Sequence, residues 1–192
     1  MTSAHKRRLA DYTLDDWDRL EPVTGHRVEL VDGLFRANAA PTPRHQRIAD
    51  RIGRVLAPKV EPLGWDVVTA IGVRVRPGVG YIPDLVICEP ADDDTASISA
   101  NTVALVVEVE SPSTRKIDRF EKPTAYATAG IQAYWRIEVV KHRPPVMFCY
   151  ELDNGVYTEV AVIETGKPRE VNLPVGGTVV LDVDTLAALP RR

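Results

Sequence analysis

Residues 103–110 read VALVVEVE, an apolar run that ends in two glutamates, and residues 81–88 read YIPDLVIC, with Asp84 among apolar neighbours. Both stretches have the β-branched and aliphatic composition of strands that are buried on both faces of a sheet. Side chains alternate along a strand, so Glu108 and Glu110 lie on the same face. A buried carboxylate is costly unless it is paired with a cation or binds a metal ion. If the two strands are neighbours, Asp84 and the two glutamates form one carboxylate cluster.

Such a cluster has the composition of a divalent metal site. Two or three carboxylates with a backbone carbonyl, here that of Val109, and water molecules are how proteins usually hold Mg²⁺ or Mn²⁺, and such an ion can activate water against a phosphodiester. Spacing alone is equally compatible with acids that lie at strand ends and face water. The basic residues after Glu110, which include Arg115 and Lys122, favour the functional interpretation, because a cation there can orient the attacking water or contact the scissile phosphate.

The composition limits the class of protein. At roughly 150 residues per domain, the 192 residues form one domain, and 44% hydrophobic with 27% charged residues excludes disordered, collagen-like and coiled-coil chains. The net charge of -3 excludes a general basic field, so nucleic acid would have to bind a local patch. No apolar run is long enough to span a bilayer, and Cys88 and Cys149 form no metal or disulfide pattern, so we expect a cytoplasmic protein.

The rest of the chain predicts a mixed arrangement of helices and strands. A short helix over 13–20, capped by Thr13, is expected to cover the core, and a β-hairpin over 27–38 turns at Asp32-Gly33. Further elements are predicted as strands over 65–76, 131–140, 145–152 and 155–163, a loop over 89–101, a loop and helix over 111–130 that ends at Gly130, and a strand followed by a short helix over 178–189. The sequence therefore predicts one α/β domain over 1–192, of α+β mixed-sheet type.

Residues 44–60 predict an amphipathic helix. Its apolar positions are Ile48, Ile52, Val55 and Leu56, and its basic positions are Arg44, Arg47, Arg51 and Arg54. The arginines either contact DNA phosphates, which position a duplex without reading its sequence, or form an ordinary solvated face. His45 is either a hydrogen-bonding residue of the helix start or a catalytic base.

The order of these segments resembles a known family. The matching stretches are VELVDGLF (28–35), PTPRHQRIADRIGRVL (41–56), YIPDLVI (81–87), LVVEVESPSTRKIDRFEK (105–122), YATAGIQAYWRIE (126–138) and VVLDVDTL (179–186). Together they resemble the Uma-two family of restriction-endonuclease-like proteins, which is common in bacterial genomes and belongs to the PD-(D/E)XK nuclease superfamily. The stretch over 108–122 is the most specific part. The resemblance covers roughly residues 12–189 and implies that they form a restriction-endonuclease-like core with flanking helices and extra C-terminal strands. It also implies magnesium-dependent cleavage of DNA phosphodiesters.

The resemblance also assigns roles to individual residues. Pro83-Asp84 matches the PD element and Glu108 the (D/E) position, both as metal ligands. The superfamily's lysine would stand at position 110, where this chain has Glu110, and the family commonly supplies a lysine from the following helix, so Lys122 is the candidate for the displaced basic group. Glu110 is then either an additional ligand or the mark of a site that no longer cuts. Glu29 matches the glutamate of the family's opening hairpin and is expected to approach the site from the side.

Pro123 complicates the placement of Lys122. Proline lacks an N–H and disfavours the helical conformation of the residue before it, so we expect the helix to start late or to kink at Lys122.

Three functions remain open from the sequence. The first is a Mg²⁺-dependent endonuclease that binds DNA, with Mn²⁺ as a substitute for Mg²⁺. The strand-rich C-terminal third of the chain is suited to a homodimer contact. The second is a catalytically decayed relative that acts as a DNA-binding or protein-interaction module, and the third is a soluble protein whose acids are structural. The predicted DNA contacts are Arg44, His45, Arg47, Arg51 and Arg115. For the first function, replacement of Asp84 by alanine is expected to abolish metal binding and cleavage with little loss of stability.

Overall fold

A computed structural model describes residues 11–111, 115–140 and 143–188 of the chain. These residues form four α-helices, α1 (Leu14–Asp18), α2 (Pro43–Val60), α3 (Lys122–Thr128) and α4 (Val183–Ala187), and a π-helical turn at Ile117–Glu121. The strands are β1 (His26–Val31), β2 (Leu34–Ala39), β3 (Asp66–Thr69), β4 (Gly72–Arg76), β5 (Val79–Tyr81), β6 (Leu85–Cys88), β7 (Ser97–Ser99), β8 (Val103–Glu110), β9 (Ala133–Glu138), β10 (Val146–Asp153), β11 (Val156–Glu164), β12 (Arg169–Asn172) and β13 (Thr178–Leu181). The fold is the mixed α+β type that the sequence predicts.

A six-stranded sheet in the order β11-β10-β9-β8-β6-β3 forms the centre of the molecule. Strand β8 is parallel to β9 and antiparallel to β6, and every residue of β8 is buried. The face that carries Val107 and Val109 packs against α2, α4 and the β12-β13 hairpin. The opposite face carries Val106 and Glu108 and lies beneath α3, whose Tyr126 belongs to the same core cluster as Val106 and donates to Glu108. This confirms the alternation predicted for VALVVEVE.

Helix α2 covers the first face. Thr42 caps its start, and Pro43 occupies the first turn, where a missing N–H costs nothing. Ile48, Ile52 and Leu56 are buried against the sheet, as the helical spacing predicts. This packing fixes the start of α2, and therefore His45, beside the end of β8.

A second sheet, in the order β2-β1-β5-β4-β7, packs beside the first. Its hairpin turns at Asp32-Gly33, whose φ values of 48° and 75° fit the predicted two-residue turn. Trp17 of α1 covers this sheet: its indole N–H donates to the Val28 carbonyl at 2.6 Å, and its ring lies directly on the backbone of Gly80. The prediction that α1 covers the core is therefore confirmed.

The structure corrects the sequence-based boundaries in several places. The predicted strand over 65–76 is two strands, β3 and β4, which belong to different sheets, because Ala70 turns the chain with a φ of 56°. Similarly, 81–88 is divided between β5 and β6, so Asp84 lies in the crossing between the two sheets and not inside a strand. The predicted loop over 89–101 contains the short strand β7, and β12 was not predicted at all.

The chain is helical from Arg115 to Thr128 and passes through Pro123 without a break. The adjustment is the π turn, in which the Lys122 N–H bonds to the Ile117 carbonyl, and the Asp118 carbonyl accepts instead from the Tyr134 hydroxyl at 2.6 Å. The helix therefore does not start late at Lys122, and the irregularity expected at this residue is the π turn directly before it, where α3 begins. The helix ends at Gly130, as predicted, in a Schellman arrangement with a φ of 83° at that glycine.

Two surface properties bear on the sequence-based expectations. No helix among the described residues is long and apolar enough to cross a membrane. Strand β11 lies at the edge of the six-stranded sheet and exposes Val156 and Val160, so a homodimer contact in the C-terminal third stays a prediction.

We predict that Gly80→Ala destabilises the fold by about 1–3 kcal/mol, because a Cβ at this position overlaps the Trp17 ring. Urea denaturation of the single variant measures this loss. In a Trp17→Leu background the same glycine substitution should cost much less, since the obstructing ring is absent. An equal cost in both backgrounds would contradict the packing assigned to Trp17.

Candidate active site

A cleft of about 430 Å³ opens at the carboxyl end of β8. Because Leu85 pairs with Val107, the residue before Leu85 comes beside the last residues of β8. The lining side chains are contributed by both sheets and by both flanking helices: Arg27, Glu29, Asn38, His45, Asp84, Glu108, Asp118 and Lys122. The register of the β6-β8 pair therefore creates the site.

Asp84 is buried and accepts hydrogen bonds at both carboxylate oxygens. Arg27 Nη1 lies 2.6 Å from Oδ1, and the Val109 N–H lies 2.8 Å from Oδ2. His45 Nε2 lies 3.2 Å from Oδ2 and 2.5 Å from the Val109 carbonyl oxygen, so Nε2 is the protonated nitrogen and donates to these acceptors. Burial alone would raise the pKa of Asp84, but the His45 and Val109 hydrogen bonds and the Arg27 charge lower it below its ordinary value.

Lys122 joins two other carboxylates in the same cleft. Its Nζ lies 2.9 Å from Glu108 Oε1 and 3.0 Å from Glu29 Oε1, and 3.8 Å from Asp118 Oδ1. The Lys122 side chain is only 6% exposed, so all of these charges are held away from water. Asp118 and Lys122 are four residues apart, a spacing typical of ordinary surface pairs, but here both residues are buried.

The cluster shifts the protonation of its members in opposite directions. Burial raises the pKa of Glu108 well above its ordinary value, and nearby Asp118 and Asp84 add to this rise against the opposing charge of Lys122. Burial would lower the pKa of Lys122, but Glu108, Glu29 and Asp118 outweigh it and raise that pKa strongly. For Glu29, the charge and hydrogen bond of Lys122 and the Ile82 N–H overcome burial and lower the pKa. These contacts favour the ammonium form of Lys122, and Glu108 is the carboxyl of this cluster that most readily takes up a proton.

Glu110 lies outside the cleft, on the same sheet face as Glu108. Its carboxylate accepts from Arg115 Nε at 2.7 Å, Arg119 Nε at 2.7 Å and Arg136 Nη1 at 2.7 Å. These three guanidinium groups lower the pKa of Glu110 despite its burial. Glu110 does not line the cleft that contains Asp84 and Glu108, so its carboxylate belongs to the arginine cluster and not to the metal-ligand candidates.

The predicted DNA contacts have different surroundings. Arg51 Nη1 donates to the carbonyl oxygens of Thr185, Leu186 and Ala188 and so holds the C-terminal end of α4. Arg115 binds Glu110, and His45 lies inside the cleft. Arg44 and Arg47 are half-buried in the first turns of α2, and neither of them lines the cleft. A DNA-contact role for all five residues stays a prediction.

Several site residues were missed by sequence reasoning. Arg27 and Asn38 contact Asp84 and Glu29, and Tyr126 donates to Glu108 at 3.3 Å. Arg27 pairs with Asn38 across the β1-β2 hairpin, as Glu29 pairs with Arg36. Polar side chains at alternate positions on both arms of a hairpin were the available signal, because alternate positions share a face.

The cleft contains oxygen atoms of the kind that bind a hard divalent cation. Asp84, Glu108 and the Val109 carbonyl supply oxygen atoms, which Mg²⁺ and Mn²⁺ prefer. Within the described ranges, no three His, Cys, Asp or Glu side chains are grouped as a metal site, so the backbone carbonyl is needed to complete the set. In the structure these oxygens accept hydrogen bonds from Arg27, His45, Lys122 and Tyr126.

The chain resembles known proteins over most of its length. A family model described as "Uma2: Putative restriction endonuclease" matches residues 14–184. The crystal structure of "a putative nuclease belonging to DUF820 from Anabaena variabilis ATCC 29413" superposes with a TM-score of 0.69 at 16% identity, covering 92% of this chain and 97% of that chain. At this identity the likeness concerns the fold alone. No curated protein matches the sequence.

We predict that Lys122→Met lowers the free energy of unfolding by about 3–5 kcal/mol at pH 7, because Glu29 and Glu108 lose their buried cation. Without Lys122 the folded-state pKa of both carboxyls rises, so the loss relative to wild type should shrink as the pH falls and the carboxyls take up protons. Urea titrations between pH 4 and pH 8 measure this dependence.

Lys116→Met is the matched control, since Lys116 is exposed on the same helix. Its effect should stay within about 0.5 kcal/mol at every pH. Equal losses for the two variants, or a Lys122→Met loss independent of pH, would contradict the buried pairing.

Proposed function

Because the chain belongs to the Uma2 family, we propose that it is a metal-dependent endonuclease that hydrolyses phosphodiester bonds in DNA. The observation that carries this proposal is the buried Lys122 ammonium group, which contacts Glu108 in the same cleft as Asp84. An acidic pair with an adjacent lysine is the residue set that the PD-(D/E)XK resemblance implies, here with the lysine supplied by a helix. The proposal includes a cytoplasmic location.

We propose that Asp84, Glu108 and the Val109 carbonyl hold Mg²⁺, with Mn²⁺ as a substitute. A bound divalent ion would lower the pKa of a water molecule and offset charge on the phosphate. Loss of Asp84 would also leave Arg27 and His45 without their shared acceptor, so alanine at this position should destabilise the fold. This replaces the sequence-based expectation of little loss, and asparagine is the better test residue because it keeps the size of the side chain.

The other cleft residues have tasks that follow from their contacts. Lys122 is held as a cation by Glu29 and Glu108, so it can donate a hydrogen bond to a phosphate oxygen or to the attacking water. Arg36 and Asn38 donate to Glu29 Oε2, which leaves Oε1 for Lys122. Glu29 is therefore proposed as a residue that positions Lys122.

We propose that DNA approaches the cleft along the start of α2. Arg44 and Arg47 lie there beside His45, and guanidinium groups bind phosphates with favourable geometry. Arg51 and Arg115 contribute less in this proposal, because each is already engaged within the protein.

The test of this proposal combines metal binding with cleavage. Asp84→Asn and Glu108→Gln should each weaken Mn²⁺ binding, measured by calorimetry. Cleavage of supercoiled plasmid should fall by at least the roughly 10–100-fold that is typical when a residue supporting a metal ligand is lost. Asp50→Asn is the control, because Asp50 is exposed on α2 and pairs only with Arg54 among the described residues.

The outcomes separate the alternatives. Mn²⁺ binding that depends on Asp84 without cleavage of plasmid, linear duplex or single strands would favour the decayed, DNA-binding alternative, which Glu110 at the lysine position supports. Wild-type levels of cleavage by Asp84→Asn would refute the site assignment. Absence of both metal binding and cleavage in the wild-type protein would refute the proposed function.

A further inference from the structure

A second pocket, here called the aromatic pocket, opens on the other side of the helix that carries Lys122. Its volume is about 290 Å³, and among the described residues it shares no lining residue with the cleft. The helix contributes Phe120 and Pro123, and the turn between β10 and β11 contributes Gly155 and Val156. The pocket has the size of a small planar ligand rather than of a folded partner.

Three tyrosines from adjacent strands line this pocket. Tyr134, Tyr150 and Tyr157 belong to β9, β10 and β11. The Tyr134 ring lies 6.2 Å from that of Tyr150 and 5.7 Å from that of Tyr157, with interplanar angles of 26° and 28°. Tyr134 is buried, at 1% exposure, and supports the other two rings from below, whereas Tyr150 and Tyr157 are partly exposed and offer the accessible aromatic surface. Nearly parallel rings on a sheet are a common platform for nucleobases.

The rim of the aromatic pocket is apolar and exposed. Phe120 is 69% exposed and Val156 is 62% exposed, the highest values among the large hydrophobic side chains that the structure describes. Both residues line the pocket, one on each side. Exposed apolar side chains on the rim of a concave site are typical of a surface that contacts a ligand.

The charge beside this aromatic surface is positive. Arg119 and Arg136 line the pocket, and together with Arg115 they share the carboxylates of Glu110 and Glu138. The charged side chains that line the pocket itself, Arg119 and Arg136, are both cationic. A ligand that is both planar and anionic fits this combination, and a nucleotide has both properties. A proline-rich peptide would use the aromatic surface but not the charge.

The aromatic pocket also lies on the same sheet face as the proposed catalytic glutamate. Glu108 pairs in register with Arg136 on β9, and Arg136 pairs with Phe148 on β10. Because Arg136 lines the pocket, the pocket begins on the strand next to that of Glu108, one strand spacing or about 5 Å away. A nucleic-acid strand bound at the cleft would have a nucleotide near the pocket.

We propose that the aromatic pocket binds an unpaired nucleobase of the substrate strand, with its phosphate near Arg119. This inference rests on the proposed nuclease function and narrows its substrate to DNA that contains unpaired bases. The ring would stack between Phe120 and the tyrosines. An unpaired base enters such a pocket without the cost of leaving a duplex.

Fluorescence anisotropy with a labelled 12-nucleotide single strand, in EDTA so that nothing is cut, tests this proposal. Wild-type protein should bind the single strand more tightly than the matched duplex. Phe120→Ala should weaken single-strand binding by roughly 5- to 150-fold, the range found when a stacked aromatic residue is removed, and should leave duplex binding unchanged. Phe120 is so exposed that this variant should keep the unfolding midpoint of the wild type.

Tyr12→Ala is the matched control, because Tyr12 is a partly exposed aromatic residue that stacks on Phe35, away from the aromatic pocket. It should bind both DNAs as wild type does. If Phe120→Ala binds the single strand as tightly as wild type does, the inference is overturned. The proposed function still stands in that case if the wild-type protein cuts plasmid. A further outcome would overturn the inference in favour of a free nucleotide as the ligand. In that case Phe120→Ala would abolish the binding of free dAMP but would not change the affinity for the oligonucleotide. A wild-type protein that neither binds nor cuts DNA would refute both proposals.

Discussion

The structure depends on one buried ammonium group, that of Lys122, and on the carboxylates around it. Glu29 comes from the first hairpin, Glu108 from the central strand and Asp118 from the π turn. A charge left alone in such a place would cost several kcal/mol, so separating any of these three elements from the others is unfavourable. The second sheet, the central sheet and the helix are therefore joined by electrostatics as well as by packing.

The short segment between the two sheets is held by the same acids. The Ile82 N–H donates to Glu29, and two residues later the Asp84 carboxylate accepts from Arg27 and from the Val109 N–H. A chain that crosses between sheets leaves backbone groups without strand partners, and here buried carboxylates and backbone N–H groups satisfy one another. The position of Asp84 is thus a consequence of the crossing, and the cleft lies where the two sheets separate.

Sequence periodicity predicted the parts of the fold whose burial is regular. VALVVEVE, the two-residue turn at Asp32-Gly33 and the apolar face of α2 each follow from a local pattern, and each is confirmed. Local patterns did not predict that 65–76 divides between two sheets, because a strand looks the same whichever sheet it joins. The π turn was missed for a related reason: the Tyr134 hydroxyl that bonds to the Asp118 carbonyl comes from a distant strand. In the site, acidic residues were identifiable from their apolar neighbours, whereas Arg27 and Asn38 lay in an ordinary hairpin pattern.

Glu110 has a physical reason to stand where a lysine would be expected. Three arginines contact position 110, and a lysine there would add a fourth cation to a half-buried cluster. The helix runs so that Arg119 meets Glu110 and Lys122 meets Glu108. Arg119 and Lys122 are three residues apart on the helix, about 4.5 Å, and their partners Glu110 and Glu108 are two residues apart on β8, about 6.8 Å. Because these lengths are comparable, both pairs can form at once only when the helix runs in the direction opposite to β8. Glu110 therefore fixes the orientation of the helix that places Lys122 in the cleft. An acidic residue at position 110 is thus compatible with an intact site.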